Sequence, residues 1–180
     1  MTVGNKTAGF KNQGFTLIEI VMVLILLGIL GSFLMMRFMD LQKDVVLVTL
    51  EKVKGTLYST NGIYRSLAAI RGVQTGTLLV NGENLRFHSG FPDGRWNDAF
   101  RGMLEISTKS TSTPQNAMCA NYRLCGTGNR NSIPSVPGTT GGRGIIIWPE
   151  GYRIANNCFA YFYNTHDGNE PLIGVVDSGC

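Results

Sequence analysis

From residue 15 to residue 36 the chain reads FTLIEIVMVLILLGILGSFLMM, an almost unbroken apolar run that holds a single charge, Glu19. As a helix rising about 1.5 Å per residue it is about 33 Å long, enough to cross a bilayer core of about 30 Å. A solitary carboxylate in such a run is costly, about 2.5–3.5 kcal/mol on insertion scales, so Glu19 needs a neutralising partner. Spacing alone fits an ordinary signal anchor with an incidental acid equally well. The residues around the acid decide between the two.

Gly14-Phe15-Thr16-Leu17-Ile18-Glu19 follows a short segment that carries Lys6 and Lys11 and no acid. This arrangement resembles the type IV prepilin signature, in which a basic leader ends in Gly and Phe-Thr-Leu-Ile-Glu opens a hydrophobic helix. The resemblance implies cleavage between Gly14 and Phe15 and N-methylation of Phe15, both by a dedicated membrane peptidase and methyltransferase. It implies an assembly role for Glu19, as the partner of the freed amine of Phe15 on a neighbouring subunit. Phe15 and Glu19 are four residues apart and share one face of a helix. In low dielectric an unpaired acid is penalised, so the pair would mark register between stacked subunits. The partners implied are other pilin subunits, a cytoplasmic assembly ATPase and an inner-membrane platform protein. The chain has no Gly-x-x-x-x-Gly-Lys-Ser/Thr run of its own with which to bind nucleotide.

The leader differs from a secretory signal, whose cleavage site follows the apolar region. A cut at Gly14 precedes that region and leaves the anchor on the mature chain. Lys6 and Lys11 hold the N-terminus in the cytoplasm and send the remainder outward. The chain carries 16 Lys+Arg against 12 Asp+Glu, and without those two lysines 14 against 12. So mild an excess does not argue for nucleic acid. Nine arginines lie between Arg65 and Arg153, but they are scattered and read as solvated surface, so DNA is not the partner favoured.

Beyond Met36 the helix is predicted to continue to about residue 69. No proline intervenes before Pro92, and Val46, Leu50, Val53, Leu57, Tyr64 and Leu67 recur at three- and four-residue steps. Gly28, Gly31, Gly55 and Gly62 weaken it by about 1 kcal/mol each relative to alanine. Many pilins carry a helix-breaking proline in the apolar half, where Met36 stands in this chain. After Arg71, runs at 77–80 and 84–87 flank Asn81-Gly82, a hairpin signal whose register Glu83 leaves open. Further strands are predicted at 103–107, 144–148, 158–163 and 172–176, with surface loops at 110–114 and 127–142. A long helix whose amphipathic half packs on an antiparallel β-sheet is an α+β fold, and it is the pilin architecture the resemblance implies. The expected division is leader 1–14, transmembrane and filament-core helix 15–36, amphipathic helix 37–70, and a globular sheet domain 71–180.

Cys119, Cys125, Cys158 and Cys180 all follow the span, on the oxidising side, and an even count reads as two disulfides. Three pairings exist. Local closure favours Cys119–Cys125 with Cys158–Cys180, and pilins commonly close a C-terminal loop in the second way. The spacings do not suit zinc, and no cofactor is implied. Asp167, Asn169 and Glu170 could offer oxygens to calcium, but the spacing is not that of an EF-hand and a turn after a strand is the commoner use. The two histidines, His88 and His166, have no Ser or Cys partner visible in the sequence, and each reads as an exposed or strand-edge residue outside any triad.

Softer similarities point to the mannose-sensitive haemagglutinin subgroup of pilins. They are Leu41-Gln42-x-Asp44, Phe91-Pro92-Asp93-Gly94-Arg95-Trp96, and the disulfide-bounded end from Asn157 to Cys180. The function expected is structural rather than enzymatic: a major or minor subunit of a type IV pilus, held in the inner membrane before assembly and extracellular afterwards, serving attachment. The alternatives are a pseudopilin of a type II secretion system, which usually lacks the disulfide-bounded loop, and a tip subunit that binds surface glycan or DNA.

Overall fold

The computed structural model describes residues 15–80, 82–101, 104, 117–120 and 122–180, and for residues 34–41 it describes the backbone alone. The leader, the loop at 110–114 and, apart from Leu104, the strand expected over 103–107 lie outside the described residues. Leu104 is buried and belongs to no strand. One helix, α1, runs Leu17–Ile70. The chain forms two compact units, Met1–Gln42 and Lys43–Cys180.

In the first unit every residue from 15 to 33 is exposed, with Phe15 and Leu17 above four-fifths. A helix that is apolar all round and uncovered requires a nonaqueous or proteinaceous partner surface. Among the described residues no helix is long and apolar enough to cross a membrane. The side chains of Leu34, Met35 and Met36, which complete the run in the sequence, are not described.

In the second unit α1 is amphipathic. Leu50, Val53, Leu57 and Ala68 are buried in the main core, and Val46 and Tyr64 pack against it half-buried. Each fully buried aliphatic side chain contributes about 1.5–3 kcal/mol. Thr60 is also buried on this face; its polarity kept it out of the apolar stripe predicted from sequence.

The strands form two antiparallel sheets rather than one. The first holds β1 (Gly76–Val80), β2 (Glu83–His88) and β3 (Phe91–Pro92) in that order. Val80 pairs with Glu83 across the β1–β2 hairpin, and Gly82 takes the positive φ of 83° that tight hairpin turns require. The second sheet holds β4 (Leu124–Arg130), β5 (Arg143–Pro149), β6 (Phe159–Asn164) and β7 (Leu172–Val176) in that order. Ile145, Ile147, Ala160, Phe162 and Ile173 lie in the main core with the helix. Ile146, Trp148, Phe159 and Tyr163 lie in a second cluster with Ile133, Ile154 and the Cys119–Cys125 bridge. Burial on both faces explains why β5 reads as a continuous apolar run instead of an alternating one.

β4 corrects the sequence reading, which placed residues 127–142 in a loop; residues 127–130 belong to the strand. The cause is a π-helical turn at Trp96–Phe100, in which the Phe100 N–H donates to the Arg95 carbonyl at 3.1 Å. Trp96 packs closely against β4. A Cβ on Gly126 would come within 2.1 Å of the Trp96 ring, and one on Gly128 within 2.3 Å of its backbone nitrogen. The strand must therefore be glycine-rich, and that composition hides it from propensity.

Candidate functional site

The N-terminal signature builds its own helix cap. Thr16 precedes the first helical residue, and the Glu19 N–H donates to the Thr16 hydroxyl oxygen at 3.4 Å. In return the Glu19 carboxylate accepts from the Thr16 N–H and from its hydroxyl, both at 3.1 Å. This reciprocal arrangement is a capping box, which satisfies donors that a helix start otherwise leaves open. The sequence pattern Thr-x-x-Glu carries it, although the reading above assigned Glu19 an intermolecular role only. A carboxylate has about four acceptor positions, so the cap leaves room for a further donor. Phe15 is exposed beside it, and Gly14 lies outside the described residues.

Two disulfides close in the second unit. Cys119–Cys125 spans a sequence separation of 6 beside β4, and Cys158–Cys180 spans 22, tying the segment after β7 to the start of β6.

A further cluster forms where the two sheets meet, and no sequence pattern announces it. His88 ends β2, His166 follows β6, and their rings stack with centroids 3.8 Å apart. The His166 Nε2 lies 2.9 Å from Asp93 Oδ1, and the Arg95 Nε donates to Asp93 Oδ2 at 2.8 Å. Asp93 is almost wholly buried, so both contacts compensate a desolvated carboxylate. Asn164, fully buried, clamps the cluster. Its amide nitrogen donates to the carbonyls of His88 and Pro92, and its oxygen accepts from the His166 N–H. Gly94 allows the Asp93 turn to approach β5, since a Cβ there would fall 2.1 Å from the Arg143 carbonyl oxygen. Against the expectation of exposed or strand-edge residues, both histidines are half-buried, and only His88 stands at a strand end. Segments far apart in sequence bring them together, which no local pattern reveals.

Ser89 Oγ lies 3.1 Å from His88 Nδ1, but its hydroxyl donates to the His166 carbonyl. The oxygen is then left as an acceptor for an Nδ1–H. Asp93 contacts His166 and not His88. Serine, base and acid are therefore not linked through one imidazole, as nucleophilic catalysis by a triad requires.

Burial, and secondarily the neighbouring His166, push the His88 pKa below its ordinary 6.5, while Asp93 acts in the opposite direction. A histidine depressed in the folded state is protonated more readily in the unfolded chain. Stability is then full above pH 6.5 and falls as pH drops through the range beneath it. Denaturant midpoints measured between neutral and mildly acidic pH are expected to show this loss, and His88→Gln to show a smaller one. An equal slope in the variant would contradict the assignment.

Asp167 is engaged in a turn. The Thr165 hydroxyl, then the Asn169 N–H and side-chain amide, hold its pKa down to about 2. Glu170 pairs with Arg65 at 2.6 Å, and the Arg65 guanidinium also lies 4.7 Å above the Phe91 ring centroid. These partners engage both carboxylate oxygens of Asp167 and one of Glu170.

With this geometry in view, the family model of the prokaryotic N-terminal methylation motif matches residues 9–35. The match covers the N-terminal segment alone, and the motif it describes is that of a prepilin-like N-terminus. The motif implies a type IV pilin or pseudopilin, with processing by a prepilin peptidase and assembly with other pilin subunits. The α+β arrangement of a long N-terminal helix and antiparallel sheets is consistent with the type IV pilin fold. No curated protein and no solved structure matches the chain.

Proposed function

We propose that the chain is a structural subunit of a type IV pilus, major or minor, which passes from the inner membrane into a surface filament used for attachment. The observation that carries this reading is the uncovered apolar helix surface over residues 15–33, headed by a motif built for cleavage and methylation. Residues 15–36 would lie among lipid tails before assembly and among neighbouring helices afterwards. Lipid is as apolar as leucine, so little hydrophobic free energy separates the two states and extraction must be driven by outside machinery. Cleavage after Gly14 frees the Phe15 amine, which is methylated, and Glu19 of one subunit neutralises the amine of another. The Cys158–Cys180 loop favours a pilus over a secretion pseudopilin, and the resemblance to the mannose-sensitive haemagglutinin subgroup belongs to the same reading.

Two variants separate the cap from the charge. Glu19→Val removes both, whereas Glu19→Gln can keep the reciprocal cap while losing the charge. Both are expected to be trimmed to the same N-terminus as wild type and to fall at least about tenfold in sheared filaments counted by mass spectrometry, as loss of a buried ion-pair partner predicts. Normal incorporation of Glu19→Gln would show that capping suffices and would remove the pairing role. In the wild type, stoichiometric amounts mean a major subunit, trace amounts a minor one, and absence favours the pseudopilin.

A further inference from the structure

A cavity of about 330 Å³ opens over the stacked histidines, and its walls include Arg86, His88, Asp93, Arg95, Arg143 and His166. That volume is within the range of small-molecule sites, about 300–1,000 Å³. We propose that it binds a small polyhydroxylated oxyanion, a sugar-like molecule bearing a carboxylate or a phosphate. The inference does not depend on the chain being built into a pilus.

The charges in the wall do not balance. Three guanidiniums face one carboxylate, and Asp93 is already engaged by Arg95 and His166. Arg95 also approaches Asp98, at 3.8 Å. Arg143 is held through one terminal nitrogen by Asn131 and the Gly142 carbonyl, while its buried Nε has no partner among the described residues. The exposed Arg86 side chain makes no hydrogen bond or ion pair among the described residues. Two guanidiniums thus line one recess with donors that no carboxylate of the described chain satisfies. A planar fork of N–H groups suits carboxylate and phosphate oxygens, and charge-assisted bonds of this kind are the strong ones.

The polyhydroxylated body follows from a second recess. Arg86 also borders a smaller cavity of about 240 Å³, whose other walls are Thr77, Asn84 and Asp98. A hydroxyl, an amide and a carboxylate offer both donors and acceptors to neutral hydroxyl groups. A ligand with its anionic group between Arg86 and Arg143 would lay its hydroxyls along this wall.

Calorimetric titration of the detergent-solubilised full chain at low salt, with glucuronate, glucose 6-phosphate and glucose as probes, tests the proposal. At least one anion is expected to bind saturably at one site, with glucose weaker by about tenfold or more. Arg86→Gln should weaken that binding by about tenfold or more and leave the thermal midpoint unchanged, because its side chain is exposed and unpaired. Arg123→Gln, an exposed arginine outside the cavity walls, should leave binding unchanged. The preferred anion then distinguishes a carboxylate ligand from a phosphate one. Failure of both anions, glucose binding as tightly, or equal sensitivity to Arg86→Gln and Arg123→Gln would overturn the site.

Discussion

Asn164→Ala is expected to lose about 3–5 kcal/mol of folding stability, because one buried and two part-buried backbone groups lose their partner, and a fully buried one costs about 1–3 kcal/mol. The groups are the carbonyls of His88 and Pro92 and the N–H of His166. They belong to the end of β2, to β3, and to the loop after β6, so one amide ties the first sheet to the second. The loss is a large share of the total, since domains of this size are stable by about 5–15 kcal/mol. Trp148 is fully buried in β5, so tryptophan fluorescence in denaturant reads the transition of the second unit directly. A midpoint shift equivalent to less than about 1 kcal/mol would mean that water replaces the amide and that the clamp is not structural.

Replacing Cys158 and Cys180 together by serine is expected to remove about 3 kcal/mol on the chain-entropy account, whereas the Cys119 and Cys125 pair removes about 2. The difference lies in the loops closed, of separation 22 and 6. Opening the longer loop frees the segment after β7, in which the Gly179 N–H donates to the Asn157 carbonyl. Thermal melts of the two double variants give the order. If the short loop proves the more stabilising, the bridge beside β4 is held by packing with Trp148 and Ile154 and not by chain entropy.

Much of this architecture was legible because its signals are local and periodic. Leu50, Val53 and Leu57 repeat at the helical period, and the structure buries all three. Asn81-Gly82 predicted the hairpin, and the strand at 172–176 agrees in both bounds with β7. The loop expected at 127–142 proved too long at its start, where residues 127–130 belong to β4, because Trp96 occupies the space where side chains would stand on Gly126 and Gly128. The split into two sheets was equally hidden, since strand order depends on contacts between segments that carry no mutual signal.

The same division holds for function. The prepilin signature lies within six consecutive residues, so the sequence by itself determined the apolar helix, the position of its lone acid and the class of protein that such a motif marks. The cap made by that acid was present as Thr-x-x-Glu, but only the coordinates showed both halves closing. The cluster of His88, Asp93, Arg95 and His166 with the cavity above it was decided by tertiary structure alone. Its parts come from four stretches, residues 75–76, 86–95, 141–143 and 164–166, and the buried Asn164 amide, the His166–Asp93 contact and the close approach of Gly94 to β5 bring them together. Local order follows from short-range sterics and periodicity; a binding surface built across sheets exists only after long-range packing has fixed which distant residues become neighbours.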